Sequence, residues 1–203
     1  PAQKFLRRLM ALTVTAGAVP LSMILCDYLL YYPFVDESEA AEQTMTNSVG
    51  LSRYTDGEGV RIMAVVVAAQ TGGATFTVNY TNQDGVAGRT TTSVVQGTQS
   101  VNGTIVSTAV ATNNAVGPFL PLQTGDTGVR SIEGVTTSGT DTGLFTLVLV
   151  KPVATFSIRG IDAPNEVDYL RDMAALPAIA DDAYLNFICL PAGSLSAAPI
   201  HGT

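Results

Sequence analysis

Tryptophan is absent from this 203-residue chain, histidine occurs once, cysteine twice, and charged residues make up only 13% of it. Each scarcity removes a class of function. With His201 as the single imidazole, and that close to the C-terminal end, a Ser-His-Asp constellation has no base to build on; a frayed terminal position is expected for it. One His and two separated Cys do not supply the ligand sets of a zinc or iron-sulfur centre. Cys26 and Cys189 belong to no Cys-x-x-Cys pair, so two buried free thiols are expected, with a disulfide tying the chain ends as the alternative. Ten basic residues stand against seventeen acidic ones, a net charge of −7. A stripe able to neutralise phosphates is therefore missing and direct nucleic-acid binding is disfavoured. The phosphate-loop pattern is absent too, and Gly57-Glu-Gly59 lacks the third glycine and the helix of a dinucleotide site. No catalytic, cofactor-binding or metal-ligating residue is assigned, and no cofactor is expected.

What the chain does contain is 46% hydrophobic residues, nineteen glycines and many threonines, the composition of a β protein with numerous turns. Thr75-Phe-Thr-Val-Asn-Tyr80 alternates cleanly, Asn82-Gln-Asp-Gly85 is a turn, and Val86 to Val95 resumes β character, which predicts a hairpin. Arg61 to Ala69 reads as a strand buried on both faces, and Cys26 to Phe34 as a strand stopped by Pro33. Further strands are expected at 104–110, 129–135, 143–150, 154–159 and 183–190. A short helix is expected at 165–176, with Val167, Leu170 and Met173 on one face. Together these predict an all-β fold: an antiparallel β-sandwich, jelly-roll-like, with an N-terminal hydrophobic arm or strand and at most one short helix. The expected organisation is an arm or strand over 1–25 and a single β-sandwich domain over 26–203.

The first twenty-five residues carry three alternatives. Lys4, Arg7 and Arg8 precede an apolar run from Leu9 to Leu25 that imitates a signal peptide, with Ala16-Gly-Ala18 as a small-residue cleavage site. Pro20, Thr13, Thr15 and the following Asp27 interrupt it and weigh against a membrane-spanning helix. Alternation of Leu12, Val14 and Ala16 with Thr13 and Thr15 favours a half-buried strand. A start at Pro1 rather than Met suggests that the numbering begins inside a longer product.

Several residues are candidate sites. Asp56, Glu58, Asp126, Glu133 and Asp141 are acids that a fold could bring together as a glycosidase pair. Asp36 through Glu42 reads as a solvated acidic loop, with a cation site as its functional alternative, and Asp181-Asp182 is a second candidate turn for calcium. Tyr28, Tyr31, Tyr32 and Tyr80 are the platform available for a glycan where tryptophan is missing. Asn79-Tyr-Thr81 and Asn102-Gly-Thr104 fit the glycosylation pattern, which matters only in a eukaryotic secretory setting.

Four segments taken together carry a resemblance. They are Cys26-Asp-Tyr-Leu-Leu-Tyr-Tyr-Pro-Phe34, Arg53-Tyr-Thr-Asp-Gly-Glu-Gly-Val-Arg61, Gly125-Asp-Thr-Gly-Val-Arg-Ser131 and Leu147-Val-Leu-Val-Lys-Pro152. Over roughly Leu25 to Leu190 the chain resembles a group of virion structural proteins from tailed bacteriophages. The resemblance implies a structural, non-enzymatic role; acidic charge adds a preference for the capsid outer surface over the DNA-filled lumen. The expectation is a cement or decoration protein that clamps neighbouring major capsid subunits, self-associates as a dimer or trimer, and contacts neither nucleic acid nor membrane. Apolar burial by the arm, Leu9 to Leu25, and strand pairing to a neighbour would supply the contact. The alternative is a tail or host-recognition protein whose loops, such as Asn113 to Thr127, contact a receptor glycan. A third reading, an exported bacterial surface protein, rests on the signal-like N-terminus.

Overall fold

The computed structural model describes residues 4–47, 49–99, 101–106, 109–112, 114–139, 141–193 and 200–202. In chain order its strands are β1 (Lys4–Phe5), β2 (Arg8–Thr13), β3 (Leu21–Asp36), β4 (Gln43–Thr44), β5 (Arg61–Thr71), β6 (Thr75–Asn82), β7 (Arg89–Thr90), β8 (Val94–Val95), β9 (Val129–Thr137), β10 (Thr142–Ile158), β11 (Asn165–Asp168), β12 (Ala178–Ile179), β13 (Leu185–Pro191) and β14 (Ile200–Gly202). The helical pieces are a 3-10 turn at Ala16–Ala18 and one turn of helix, α1 (Tyr169–Asp172). The chain is all-β, as expected. Its contacts form two compact units, Leu29–Lys151 and a second made of Pro1–Tyr28 with Pro152–Thr203. The boundaries fall inside β3 and β10, so each unit takes one half of each long strand. This grouping differs from the expected arm over 1–25 and single domain over 26–203.

In the Leu29–Lys151 unit, one sheet runs β3-β10-β5 and extends through a bridge between Val65 and Ile105; the other runs β4-β9-β6-β7, with β8 also on β6. The pairs are nested. β3 pairs with β10, β4 with β9, β5 with the stretch around Ile105, and β6 with β7, as when one long antiparallel hairpin is rolled up on itself. That order is a jelly roll. Period-2 alternation explains how its layers close: Phe76, Val78 and Tyr80 of β6 turn inward with Ile132 and Val135 of β9. Against them lie Ile62, Ala64 and Val66 of β5 and Phe145, Leu147 and Leu149 of β10, in one buried cluster. The rings of Phe76 and Phe145 meet at 4.9 Å between centroids and 43° between planes. Such a pair adds roughly 0.5–1.5 kcal/mol beyond the area it buries.

The other unit has its own core. The three-stranded sheet β11-β2-β14 packs Leu9, Ala11, Val167 and Ile200 against Leu21 and Met23 of β3 and Phe156 and Ile158 of β10. A neighbouring cluster joins Leu25, Ala154 and Tyr169. The apolar side chains expected to serve as an arm thus fill the chain's own interior.

Several expectations are corrected. β3 passes through Pro33 instead of stopping there; β13 pairs with β3 only as far as Asp27, so Pro33 lies where one flank of β3 no longer has the β13 ladder. The expected helix at 165–176 opens as β11, since Asn165 to Asp168 pair with Ala11 to Arg8; only one turn remains, capped by the Asp168 carboxylate accepting from Leu170 N at 3.0 Å. Tertiary pairing overrides the helical period there. At the end of β2 the expected faces are reversed, with Thr13 buried and Val14, just after the strand, exposed, and Thr13 Oγ1 accepts from Thr15 N at 3.2 Å. His201 is not frayed but sits in β14 opposite Leu12. The predicted strands at 143–150 and 154–159 are one, β10. The return arm of the hairpin is two short pieces, β7 and β8. Part of the strand expected at 104–110 lies outside the described residues, as do Pro1 and Thr203.

Phe145→Ala removes one ring of the central pair and leaves a cavity in the jelly-roll core. A loss of ~3–5 kcal/mol is expected in chemical denaturation; a change below ~1 kcal/mol would contradict this account of the core.

Candidate interaction surface

The five candidate carboxylates Asp56, Glu58, Asp126, Glu133 and Asp141 each have separate donors. Asp126 is the most elaborately held: its side chain is 3% exposed and accepts from Tyr80 Oη at 2.6 Å, Asn82 Nδ2 at 2.8 Å, and Arg89 Nε and Nη2 at 2.9 and 3.1 Å. The Arg89 guanidinium, aided by the Tyr80 and Asn82 donors, lowers the Asp126 carboxyl to about 2. Burial, then donation to Asp126, pushes the Tyr80 phenol up to about 12. Tyr80 Oη also accepts from Gln123 N at 2.9 Å, so the network staples the loop before β9 onto β6 and β7. Glu133 accepts from the Thr81 hydroxyl and from Gly88 N. Asp56 accepts from Glu58 N, Glu58 from the Thr127 hydroxyl, and Asp141 from the N–H groups of Gly73 and Ala74. Among the described residues no hydrogen bond joins two of these acids, and no three His, Cys, Asp or Glu side chains are placed to hold a metal ion.

The acidic stretch is not one solvated loop. Asp36 caps Ser38 N, Glu39 caps Ala41 N, and Glu42 accepts from Asn79 Nδ2, whereas Glu37 is fully buried. Asp181 pairs with Lys4 at 3.1 Å on the surface. Tyr32 and Tyr80 are buried, and Tyr32 Oη accepts from Ile132 N at 2.9 Å, so of the four tyrosines considered for a glycan platform two belong to the core. Both cysteines are free. Burial, then the neighbouring Asp27, pushes the Cys26 thiol up to about 12, and burial also raises Cys189. In the β13–β3 register Cys26 faces Asn186 and Cys189 faces Met23, so the thiols do not oppose one another.

A surface of another kind stands out on β13. Among the described residues it pairs only with β3, which makes it a sheet edge, and the seven residues Leu185-Asn-Phe-Ile-Cys-Leu-Pro191 carry no charge. Tyr184 is 64% exposed, Leu185 41% and Phe187 36%. The edge is anchored at its start: Tyr184 N donates to Asp27 Oδ1 at 3.0 Å, Tyr28 N donates to the Tyr184 carbonyl at 2.9 Å, and the two tyrosine rings meet edge-on at 6.4 Å. Phe187 also borders an apolar cleft of about 380 Å³, shared with Met10, Met23, Phe156, Cys189 and Ile200. Uncovered strand edges with apolar side chains and no charge are templates for pairing with another chain. Sequence reasoning found the strand but not its edge position. The available signal was the uncharged run itself, since edge strands are commonly protected by Lys or an internal Pro.

No family model, curated protein or solved structure matches the chain.

The Asp126 network has a defined acid dependence. A carboxyl held below its unfolded value stabilises the fold above the unfolded value near ~3.9, and that contribution is lost as pH falls toward about 2. Asp126→Asn is expected to cost on the order of 2 kcal/mol at neutral pH. It should also flatten this part of the acid unfolding curve, read by circular dichroism; an unchanged acid limb would contradict the assignment.

Proposed function

We propose that this chain is a non-enzymatic virion structural protein that binds the outer surface of a tailed-phage capsid and clamps neighbouring major capsid subunits. The observation that carries the reading is the uncharged β13 edge with Tyr184, Leu185 and Phe187 beside an apolar cleft, a surface suited to adding a partner strand. The jelly roll and the resemblance to tailed-phage virion proteins support it. A net charge of −7 suits the outside of the shell better than its DNA-filled interior. The contact is carried by β13 and not by an N-terminal arm, because Leu9, Leu21, Met23 and Leu25 pack within the chain's own cores. Apolar burial contributes ~25 cal/mol per Å², so a single edge is a modest contact. Repetition over a symmetric shell, with dimers or trimers of this chain bridging subunits, multiplies it. The partner is the major capsid protein; neither nucleic acid nor membrane enters the reading, and no helix among the described residues is long and apolar enough to cross a membrane.

Quantitative mass spectrometry of purified virions tests the location. A copy number close to that of the major capsid protein is expected; a handful of copies would assign the chain to the portal or tail, and absence would end the reading. The contact is tested with Leu185→Asp combined with Phe187→Asp. Both side chains are exposed, so thermal stability should change little while capsid occupancy collapses. Full occupancy by the double variant would exclude β13 as the clamp.

A further inference from the structure

Glu37 is 0% exposed and follows directly on β3, at one end of the Leu29–Lys151 jelly roll. Gln70, near the end of β5, is 4% exposed and donates from Nε2 to Glu37 Oε1. The remaining polar atom of each group, Glu37 Oε2 and Gln70 Oε1, is buried without a hydrogen-bond partner. Both are acceptors. An ionised carboxylate leaves two unpaired acceptors in the interior, a costly arrangement.

We propose that Glu37 holds a proton on Oε2 and pairs with Gln70 as a cyclic acid–amide dimer, forming a buried proton-binding site in the jelly roll. One proton satisfies both orphans. Gln70 Nε2–H already donates to Glu37 Oε1, and a hydroxyl on Oε2 donates to Gln70 Oε1, closing the second half of the ring. The site is framed by backbone. Glu37 N donates to the Gly143 carbonyl at 3.2 Å, and Asp141 N donates to the Glu37 carbonyl at 2.9 Å. β10 has a register shift between Thr142 and Leu144, and Gly143 stands there at φ +133°. A Cβ on Gly143 would lie 2.9 Å from Glu37 Oε2 and 3.0 Å from the Ala69 carbonyl, so the bulge and the glycine keep room for the carboxyl.

The surroundings favour the neutral form. Burial raises the Glu37 carboxyl first; the Gln70 donor opposes this, and the charges acting on the group are the carboxylates Asp141 and Asp36, both of which raise it further. The stability consequence has the opposite sign to that of Asp126. The folded chain holds the Glu37 proton at pH values where the unfolded chain, with a carboxyl near ~4.3, has released it. Stability from this site is complete below that value and declines as pH rises through the raised one. A metal cation could also quiet two orphan acceptors, but it needs several more oxygen ligands, and no group of three acidic or other ligating side chains is assembled among the described residues.

Glu37→Gln replaces the acid by an amide of the same shape that donates to Gln70 Oε1 at every pH. From about pH 5 to about pH 9 the wild-type melting temperature is expected to fall further than that of the variant, so the gap widens in favour of E37Q as pH rises. In the infrared spectrum at neutral pH, a protonated-acid carbonyl band present in the wild type is expected to be missing from E37Q. Parallel pH profiles, or a wild-type spectrum without that band, would overturn the proposal. So would a rise in wild-type melting temperature on adding calcium that E37Q does not share, since that result would make the pair a cation ligand.

Discussion

The pairing of β3 with β10 is the constraint on which the other strands depend. Both are far longer than an ordinary strand of ~5–6 residues. Their inner faces alternate through two different cores: Leu21 and Met23 of β3 and Phe156 and Ile158 of β10 contribute to one, while Val35 of β3 and Phe145, Leu147 and Leu149 of β10 contribute to the other. Once this pair is formed, the nested order of the jelly roll follows by successive antiparallel closures, from β4 on β9 to β6 on β7. Each closure shortens the loop that the next must span, which lowers its entropic cost.

Two buried carboxylates in the Leu29–Lys151 unit show how the same chemical group takes different states. Asp126 receives donors from Tyr80, Asn82 and Arg89 and is stable as an anion. Glu37 receives one amide donor and faces two negative neighbours, so the proton becomes its missing partner. In each case the alternative protonation state leaves buried polar atoms unmatched, and the neighbouring groups decide which state is cheaper. The acidic sequence around Glu37 gives no sign of this, because burial there depends on a bulge and a glycine more than a hundred residues away in the chain.

Edge exposure and buried polar chemistry thus have separate places in the molecule. The β13 edge lies in the unit built from both chain ends, and its apolar side chains are supported by a core of their own. The acids that looked available for catalysis are occupied in holding turns and loops: Asp141 fastens the turn before β6, Glu58 reaches Thr127, and Glu133 braces β6 and the approach to β7.

Local pattern alone determined the all-β class, the inward face of β6, the strand character of β5, β9 and β13, and the free thiols, because alternation and residue spacing are written along the chain. Topology, edge position and protonation were decided elsewhere. Asn165 to Asp168 carry a helical period yet pair as a strand because β2 lies beside them; β3 continues through Pro33 although the β13 ladder on one flank ends at Asp27; Leu9 to Leu25 look like an arm but close an interior with residues from the far end of the chain. The apolar pattern specifies which side chains must leave water. Which other side chains receive them, and which strand edge is left uncovered, depends on contacts between residues distant in sequence, and only the folded chain brings those together.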